Sequence, residues 1–291
     1  MGPPTAIVTG GSSGIGDALV RHLVSLNWRV VVADINPPKE SLPETLFVKT
    51  DISSWQDQAD MFEQAYAWSG RLDFVALNAG VDHGDDVFGN LSGNVDRPPS
   101  RPDTRPFEVN ITGTFYGIKL AAHYMTVPST HSDKPKPGGK IIITASGGGI
   151  FPIPILPQYT ASKHAQVGLV RALARNDAAT TADVRINAVC PAIVDTPGLP
   201  PGLASKLGPD QLTPMSTVIR CFDALADFAS VGDNDWVARG KTGETVEANG
   251  EEFIWHRPPQ PQGGKFMREA GVLAAAQAYK QMSAGGVATA T

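Results

Sequence analysis

The strongest limit on how this chain can fold is a rhythm, in which short apolar runs rich in β-branched residues alternate with longer segments of helical periodicity. The short runs occupy residues 6–9, 29–33, 46–49, 74–77, 140–144, 185–189 and 244–248. Between them, apolar residues recur at helical spacing over 15–26, 55–68, 107–125, 159–176 and 215–228. A strand, a helix and a second strand in succession form a right-handed crossover, which leaves the two strands parallel. Seven such strands predict an α/β domain built on one doubly wound, parallel, seven-stranded sheet with helices on both faces.

Three polar stretches rich in Pro and Gly break the rhythm, at 82–106, 127–139 and 195–214. The first and third follow strand C-termini, where open α/β sheets bind ligands, so they are expected to border a site, with 195–214 as a substrate loop. The middle one precedes a strand and reads as a surface loop. The domain is expected over 1–257. Residues 258–291 then supply a linker (258–264), a short Ala-rich helix (266–282) and a frayed tail.

Several function classes are disfavoured. A formal charge of −5 offers no basic excess for nucleic acid or anionic membranes. No apolar stretch reaches the ~20 residues that span a bilayer, and residues 1–5 show no basic and apolar leader, so a cytoplasmic protein is expected. Cys190 and Cys221 make neither a disulfide framework nor a metal pair, and Cys190 reads as a core thiol. His83 and His164 lack a second ligand at metal spacing, so no metal site is expected.

The first strand runs into Thr9-Gly10-Gly11-Ser12-Ser13-Gly14-Ile15-Gly16 and then a helix. Glycines let the backbone turn tightly and approach a pyrophosphate, which sits on the N–H groups of the helix N-terminus. Gly10, Ser12, Ser13, Gly14 and Ile15 are therefore candidate dinucleotide contacts in a Rossmann-type fold. A plain tight strand-to-helix loop is the alternative. Asp34 closes the second strand eighteen residues after Gly16, near the offset at which a carboxylate takes hydrogen bonds from the adenosine ribose. That carboxylate would repel a 2′-phosphate, and no Lys or Arg stands at Ser13 to offset it, so NAD is expected over NADP. Alternatively, Asp34 caps the following turn.

With marks farther along, this segment resembles the short-chain dehydrogenase/reductase family. The marks are Thr9-Gly10-(x)3-Gly14-Ile15-Gly16, Asp51-Ile52, Asn78-Ala79-Gly80, Asn110, Ser146, Tyr159-(x)3-Lys163 and the segment from Pro191 to Thr196, in family order. Within the family the chain is most similar to the group of 15-hydroxyprostaglandin dehydrogenase and its fungal relatives. Arg71-Leu72-Asp73-Phe74-Val75, Phe115-Tyr116-Gly117-Ile118-Lys119, Tyr159 through His164 and Leu212 through Thr217 carry that likeness. Ala192 stands where the family usually has a glycine after the sixth-strand proline.

Hydride removal from a secondary alcohol leaves an oxygen that must lose its proton, and Tyr159 fits the base. An ordinary tyrosine has a pKa of about 10, so working near neutrality takes about 4 kcal/mol of phenolate stabilisation. Lys163, at i+4 on the same helix face, supplies positive charge. The resemblance further implies that Lys163 bonds the nicotinamide ribose and that Ser146 orients the substrate oxygen. It assigns Asn110 a water that links Lys163 to solvent. It also implies that Asp51 and Ile52 receive the adenine edge, that Asn78, Ala79 and Gly80 pass against the adenosine and ribose, and that Pro191, Ile193, Val194 and Thr196 line the nicotinamide side. Each residue has a plainer reading: a surface Tyr–Lys pair, a serine that starts a glycine turn, an asparagine that caps a helix.

The apolar, proline-stiffened segment 147–156 suggests a wall for a lipophilic substrate, steroid-, terpenoid- or polyketide-like, with Gly148, Phe151 and Ile153 as candidate contacts. The same residues could instead pack against a partner or the C-terminal tail. Ile111, Phe115, Ile118 and Ala122 form an apolar helix stripe, and the resemblance implies a homodimer or homotetramer paired through this helix and 159–176. Interconversion of a secondary alcohol and a ketone is the leading expectation. The same site also permits cofactor-assisted isomerisation or epimerisation, and a non-catalytic dinucleotide sensor is a further alternative.

Overall fold

The computed structural model describes residues 2–82, 87–88, 92–129, 134, 136–231, 240–259 and 275. In chain order the elements are β1 (Thr5–Thr9), α1 (Gly14–Ser25), β2 (Arg29–Asp34), β3 (Thr45–Lys49), α2 (Trp55–Ser69) and β4 (Phe74–Leu77). There follow α3 (Arg105–Phe107), a π-helix (Glu108–Gly113), α4 (Thr114–Thr126), β5 (Gly139–Thr144), α5 (Pro157–Leu173), α6 (Asp177–Thr181) and β6 (Val184–Pro191). The rest are α7 (Leu203–Lys206), α8 (Met215–Ala226), β7 (Thr245–Asn249) and β8 (Glu252–Trp255). The sheet order is β3-β2-β1-β4-β5-β6-β7-β8. Strand order reverses between β1 and β4, and the crevice above their C-terminal ends is where a sheet of this kind takes a ligand.

The strands are buried on both faces because each face carries its own helices. On one face Ile7, Val31, Val75 and Ile141 pack with Met61 and Phe62 of α2, Ala121 and Met125 of α4, and Val167 and Val170 of α5. On the other, Ala6, Val8, Val30 and Val32 pack with Leu19 and Leu23 of α1 and with Val218, Phe222 and Leu225 of α8.

Several expectations need correction. The sheet has eight strands rather than seven, because β8 pairs antiparallel with β7. Asn249 pairs with Glu252 across a two-residue turn in which Gly250 takes φ +55°. An Asn-Gly dipeptide is a strong hairpin signal, and Phe253-Ile254-Trp255 is a short apolar run behind it, but β8 has only four residues and they lie largely exposed at the sheet edge. The helix expected over 107–125 is a π-helix joined to α4, because apolar spacing does not reveal an extra residue inserted in one turn. Similarly, 159–176 ends at Leu173, and Asn176 caps α6 through its side chain, which accepts from Ala178 N at 2.9 Å.

Lys134, in a stretch read as a surface loop, is tucked in: its ammonium donates to the carbonyls of Leu72, Met125 and Gly138. Burial lowers its pKa to about 8. The chain divides into compact units of 1–256 and 257–291. The helix expected over 266–282 lies, apart from Ala275, outside the described residues. Among the described residues no helix is long and apolar enough to cross a membrane, and no acidic, His or Cys cluster suits a metal.

Candidate active site

At the C-terminal end of β1 the backbone can turn only because of its glycines. Gly10 and Gly14 take φ +64° and +54°, and a β-carbon on Gly16 would lie 2.0 Å from the Gly10 carbonyl oxygen. Ser13 occupies the N-cap position of α1, yet its side chain makes no capping bond. The first-turn N–H groups of α1 are thus left for an anion. Asp34 braces the same turn. One carboxylate oxygen accepts from Ser12 N and the other from Asn36 N, each at 3.1 Å, while Ser12 Oγ donates to Asn36 O at 2.7 Å. Asp34 therefore does cap the next turn, and it holds its charge beside the glycine loop while doing so.

The segment after β4 is locked against this turn by the Thr9 hydroxyl. Thr9 Oγ accepts from Asn78 N (2.9 Å) and Ala79 N (3.1 Å), and Asn78 Nδ2 donates to Thr9 O at 3.1 Å. A β-carbon on Gly10 would meet Ala79 Cα at 2.9 Å, and one on Gly14 would meet Thr196 at 3.3 Å. Segments after β1, β4 and β6 thus converge on one cradle, with backbone approaches that side chains would block. Such a cradle fits a dinucleotide pyrophosphate. At its edges Ile52 is buried, Asp51 is exposed and accepts from Ser53, and Ile193 is partly open. The Val194 side chain belongs to the core, so only its backbone is placed for a ligand.

Lys163 and Tyr159 lie one turn apart on α5, with Lys163 Nζ 5.6 Å from the centre of the tyrosine ring. Nζ donates to Thr144 O at 3.0 Å. Burial lowers the Lys163 pKa to about 8. It also raises Tyr159 above its ordinary value, while a hydrogen bond with Ser146 pulls the other way. Desolvation opposes both charged forms, so a working phenolate has to draw its stabilisation from nearby positive charge. Ser146 Oγ accepts from Gly148 N at 3.0 Å, so it also starts the glycine turn 147–149. Gly148 is pressed between Ile153 and the tyrosine ring: a β-carbon there would be 2.9 Å from Ile153 Cδ1 and 3.3 Å from Tyr159 Cε1. Phe151 and Ile155 stand out from this loop at 55% and 83% exposure, an open apolar rim beside the tyrosine.

Residues 4–201 match the family described as short chain dehydrogenase. The chain belongs to the short-chain dehydrogenases. It is 30% identical over 285 residues to short-chain dehydrogenase/reductase prx6 of Penicillium rubens, covering 92% of this chain and 90% of the relative. It is 34% identical over 220 residues to 5'-hydroxyaverantin dehydrogenase of Dothistroma septosporum, covering 68% and 69%. NADP-dependent dehydrogenase M3 of a Phoma species is 32% identical over 203 residues, covering 66% and 59%. Among solved structures, 3-ketoacyl-(acyl-carrier-protein) reductase of Brucella melitensis complexed with NADH superposes with a TM-score of 0.67 at 22% identity, over 86% of this chain and 98% of the other. ElxO with NADP bound gives 0.66 at 20%, over 85% and 98%. These two share the fold, and in them it holds either form of the nicotinamide dinucleotide.

In this short-chain dehydrogenase Asn110 is fully buried within the π-helix, not a cap at a helix start. Its side chain grips Val81 at both ends, Oδ1 accepting from Val81 N (2.9 Å) and Nδ2 donating to Val81 O (2.8 Å) and Ser162 Oγ (2.9 Å). A β-carbon on Gly80 would lie 3.0 Å from Asn110 Oδ1 and 3.4 Å from Lys163 Nζ, so Gly80 is the contact between them. Cys190 is buried, and burial pushes its thiol up to about 12. His164 is exposed, with Nδ1 against Thr160 O, and His83 lies outside the described residues. Sequence reading missed Gln58, Gln166, the role of Thr9, and a buried Glu247 bonded to His256 at 2.6 Å. A glutamine among the core-facing positions of a helix, as in Gln58 with Met61 and Phe62 or Gln166 with Val167 and Val170, was the available signal.

Proposed function

We propose that this short-chain dehydrogenase uses NAD to interconvert a secondary alcohol and a ketone on a lipophilic small molecule. The observation that carries the reading is the placement of Tyr159, Lys163 and Ser146 together beside the glycine cradle. When bound, the dinucleotide would supply the acceptor for the hydride of the alcohol carbon. Tyr159 takes the hydroxyl proton at its phenol oxygen, Ser146 Oγ holds the substrate oxygen, and the Lys163 ammonium favours the phenolate and bonds the nicotinamide ribose. Asp34, already at the rim of the cradle, supports NAD, because its carboxylate accepts ribose hydroxyls and repels a 2′-phosphate.

The open rim of Phe151, Ile155 and Ile193 supports a steroid-, terpenoid- or polyketide-like substrate. The similarity to a dehydrogenase named for 5'-hydroxyaverantin is consistent with that class. The likeness to the 15-hydroxyprostaglandin dehydrogenase group rests on the motifs around Arg71, Tyr116, His164 and Pro214. We also read the protein as a cytoplasmic homodimer or homotetramer.

The test is a screen of apolar secondary alcohols and ketones with NAD and NADP, following nicotinamide absorbance, for the wild type and Tyr159→Phe. Turnover that survives in Tyr159→Phe would remove the tyrosine from the mechanism. Equal or better use of NADP would overturn the cofactor assignment.

A further inference from the structure

Two buried glutamines hold the π-helix. Gln166 of α5 donates from Nε2 to the main-chain carbonyl of Asn110 at 2.8 Å and to Thr114 Oγ1 at 2.9 Å. Gln58 of α2 donates from Nε2 to the carbonyls of Gly113, at 2.8 Å, and Ile52. Both side chains are fully buried. Carbonyl oxygens only accept, so each amide must present its NH2 end to the helix, which fixes its orientation chemically. A π turn displaces carbonyls from the regular ladder, and in a dry interior those carbonyls need donors. Gln166 supplies one in the middle of the segment, at Asn110, and Gln58 one at its C-terminal end, at Gly113.

The register matters because Asn110 lies in this segment. A return to α-helical spacing would rotate its side chain by about 100°, away from Val81. The Val81 clamp would go with it, and so would the fixed seat of Gly80 between Asn110 Oδ1 and Lys163 Nζ. We propose that Gln166 is a positioning residue of this enzyme: by holding the π-helical register at Asn110, it sets the 78–81 backbone against Lys163 and so tunes the Tyr159–Lys163 pair. This rests on the proposed function above, because the effect is read through Tyr159.

Gln166→Met keeps the length and volume but removes the donor. It should lower kcat at least about tenfold, as a small misplacement near the chemistry does. It should also move the phenolate titration to higher pH, followed as ultraviolet difference absorbance of the dinucleotide complex with the Tyr159→Phe signal subtracted. In an Asn110→Ala background the same substitution should cost nothing more. A merely structural role would give additive losses in the double variant and an unmoved titration. If Gln166→Met does not fold, Thr114→Val removes the other anchor of the same amide and should shift the titration in the same direction by less. An unchanged titration in whichever variant folds, or losses that add to those of Asn110→Ala, overturns the proposal. Normal turnover in Tyr159→Phe would instead overturn the function on which it stands.

Discussion

Lys163→Met isolates the charge that the proposed tyrosine base requires. The ammonium is 5.6 Å from the centre of the Tyr159 ring. With that centre taken as the seat of the phenolate charge, an effective dielectric constant of about 20 makes the attraction about 3 kcal/mol, or about two pH units. The rising limb of the oxidation rate should therefore move up by about two units. Turnover at pH 7 should fall about a hundredfold, and the gap should narrow as pH rises. Because the two groups face each other, the observed limb belongs to the pair.

Stability is the control for that experiment. Burial that takes Lys163 from 10.5 to about 8 disfavours the folded state below pH 8 by about 3 kcal/mol, a penalty lifted as pH rises from 8 to 10.5. Methionine removes that penalty but leaves Thr144 O without its donor, at a cost of about 1–3 kcal/mol. The thermal midpoint at pH 7 should therefore change little, and the variant should lose the gain in stability between pH 8 and 10.5. The assay is a pH–rate profile run beside thermal melts at each pH. A loss of rate that is equal at all pH values would refute an action of Lys163 through charge on Tyr159.

Asp34→Ala removes two acceptor bonds to the turns and one negative charge, so NAD affinity should fall and the ratio of NAD to NADP affinity should narrow in calorimetry. Gly16→Ala should abolish dinucleotide binding in the same titration, because its β-carbon would lie 2.0 Å from the Gly10 carbonyl oxygen. Cys190 and Cys221 are buried, and burial pushes both thiols up to about 12; a thiol reagent at pH 8 should label neither until denaturant is added. Phe115 is 49% exposed on α4, so Phe115→Glu should dissociate the proposed oligomer in light scattering while leaving the monomer folded. An unchanged mass would place the contact elsewhere.

Much of this enzyme is local, and local features are what a sequence displays. The alternation of apolar runs and helical periods determined the order of β1 to β7. The glycine turn, Asp34 at the end of β2, and Tyr159 four residues before Lys163 are each set by spacing along one or two elements. Ser146 and the apolar segment 147–156 follow one strand end, so their place beside Tyr159 was legible as well.

Other features depended on contacts between distant residues. β8, a short and largely exposed edge strand, is fixed by its hairpin pairing with β7. Ile118 and Phe115, read as one apolar stripe, part company in the fold: Ile118 turns into the core while Phe115 stands open on α4. The π-helix is stable because Gln58 and Gln166, distant in the chain, bring amide donors to its displaced carbonyls. The direction of the Tyr159 shift was likewise a tertiary matter. The sequence determined which groups are proposed to carry the proton chemistry, but desolvation depends on what packs around them, and only the fold decided that Lys163 would be buried and Tyr159 partly buried, so that desolvation disfavours both charged forms.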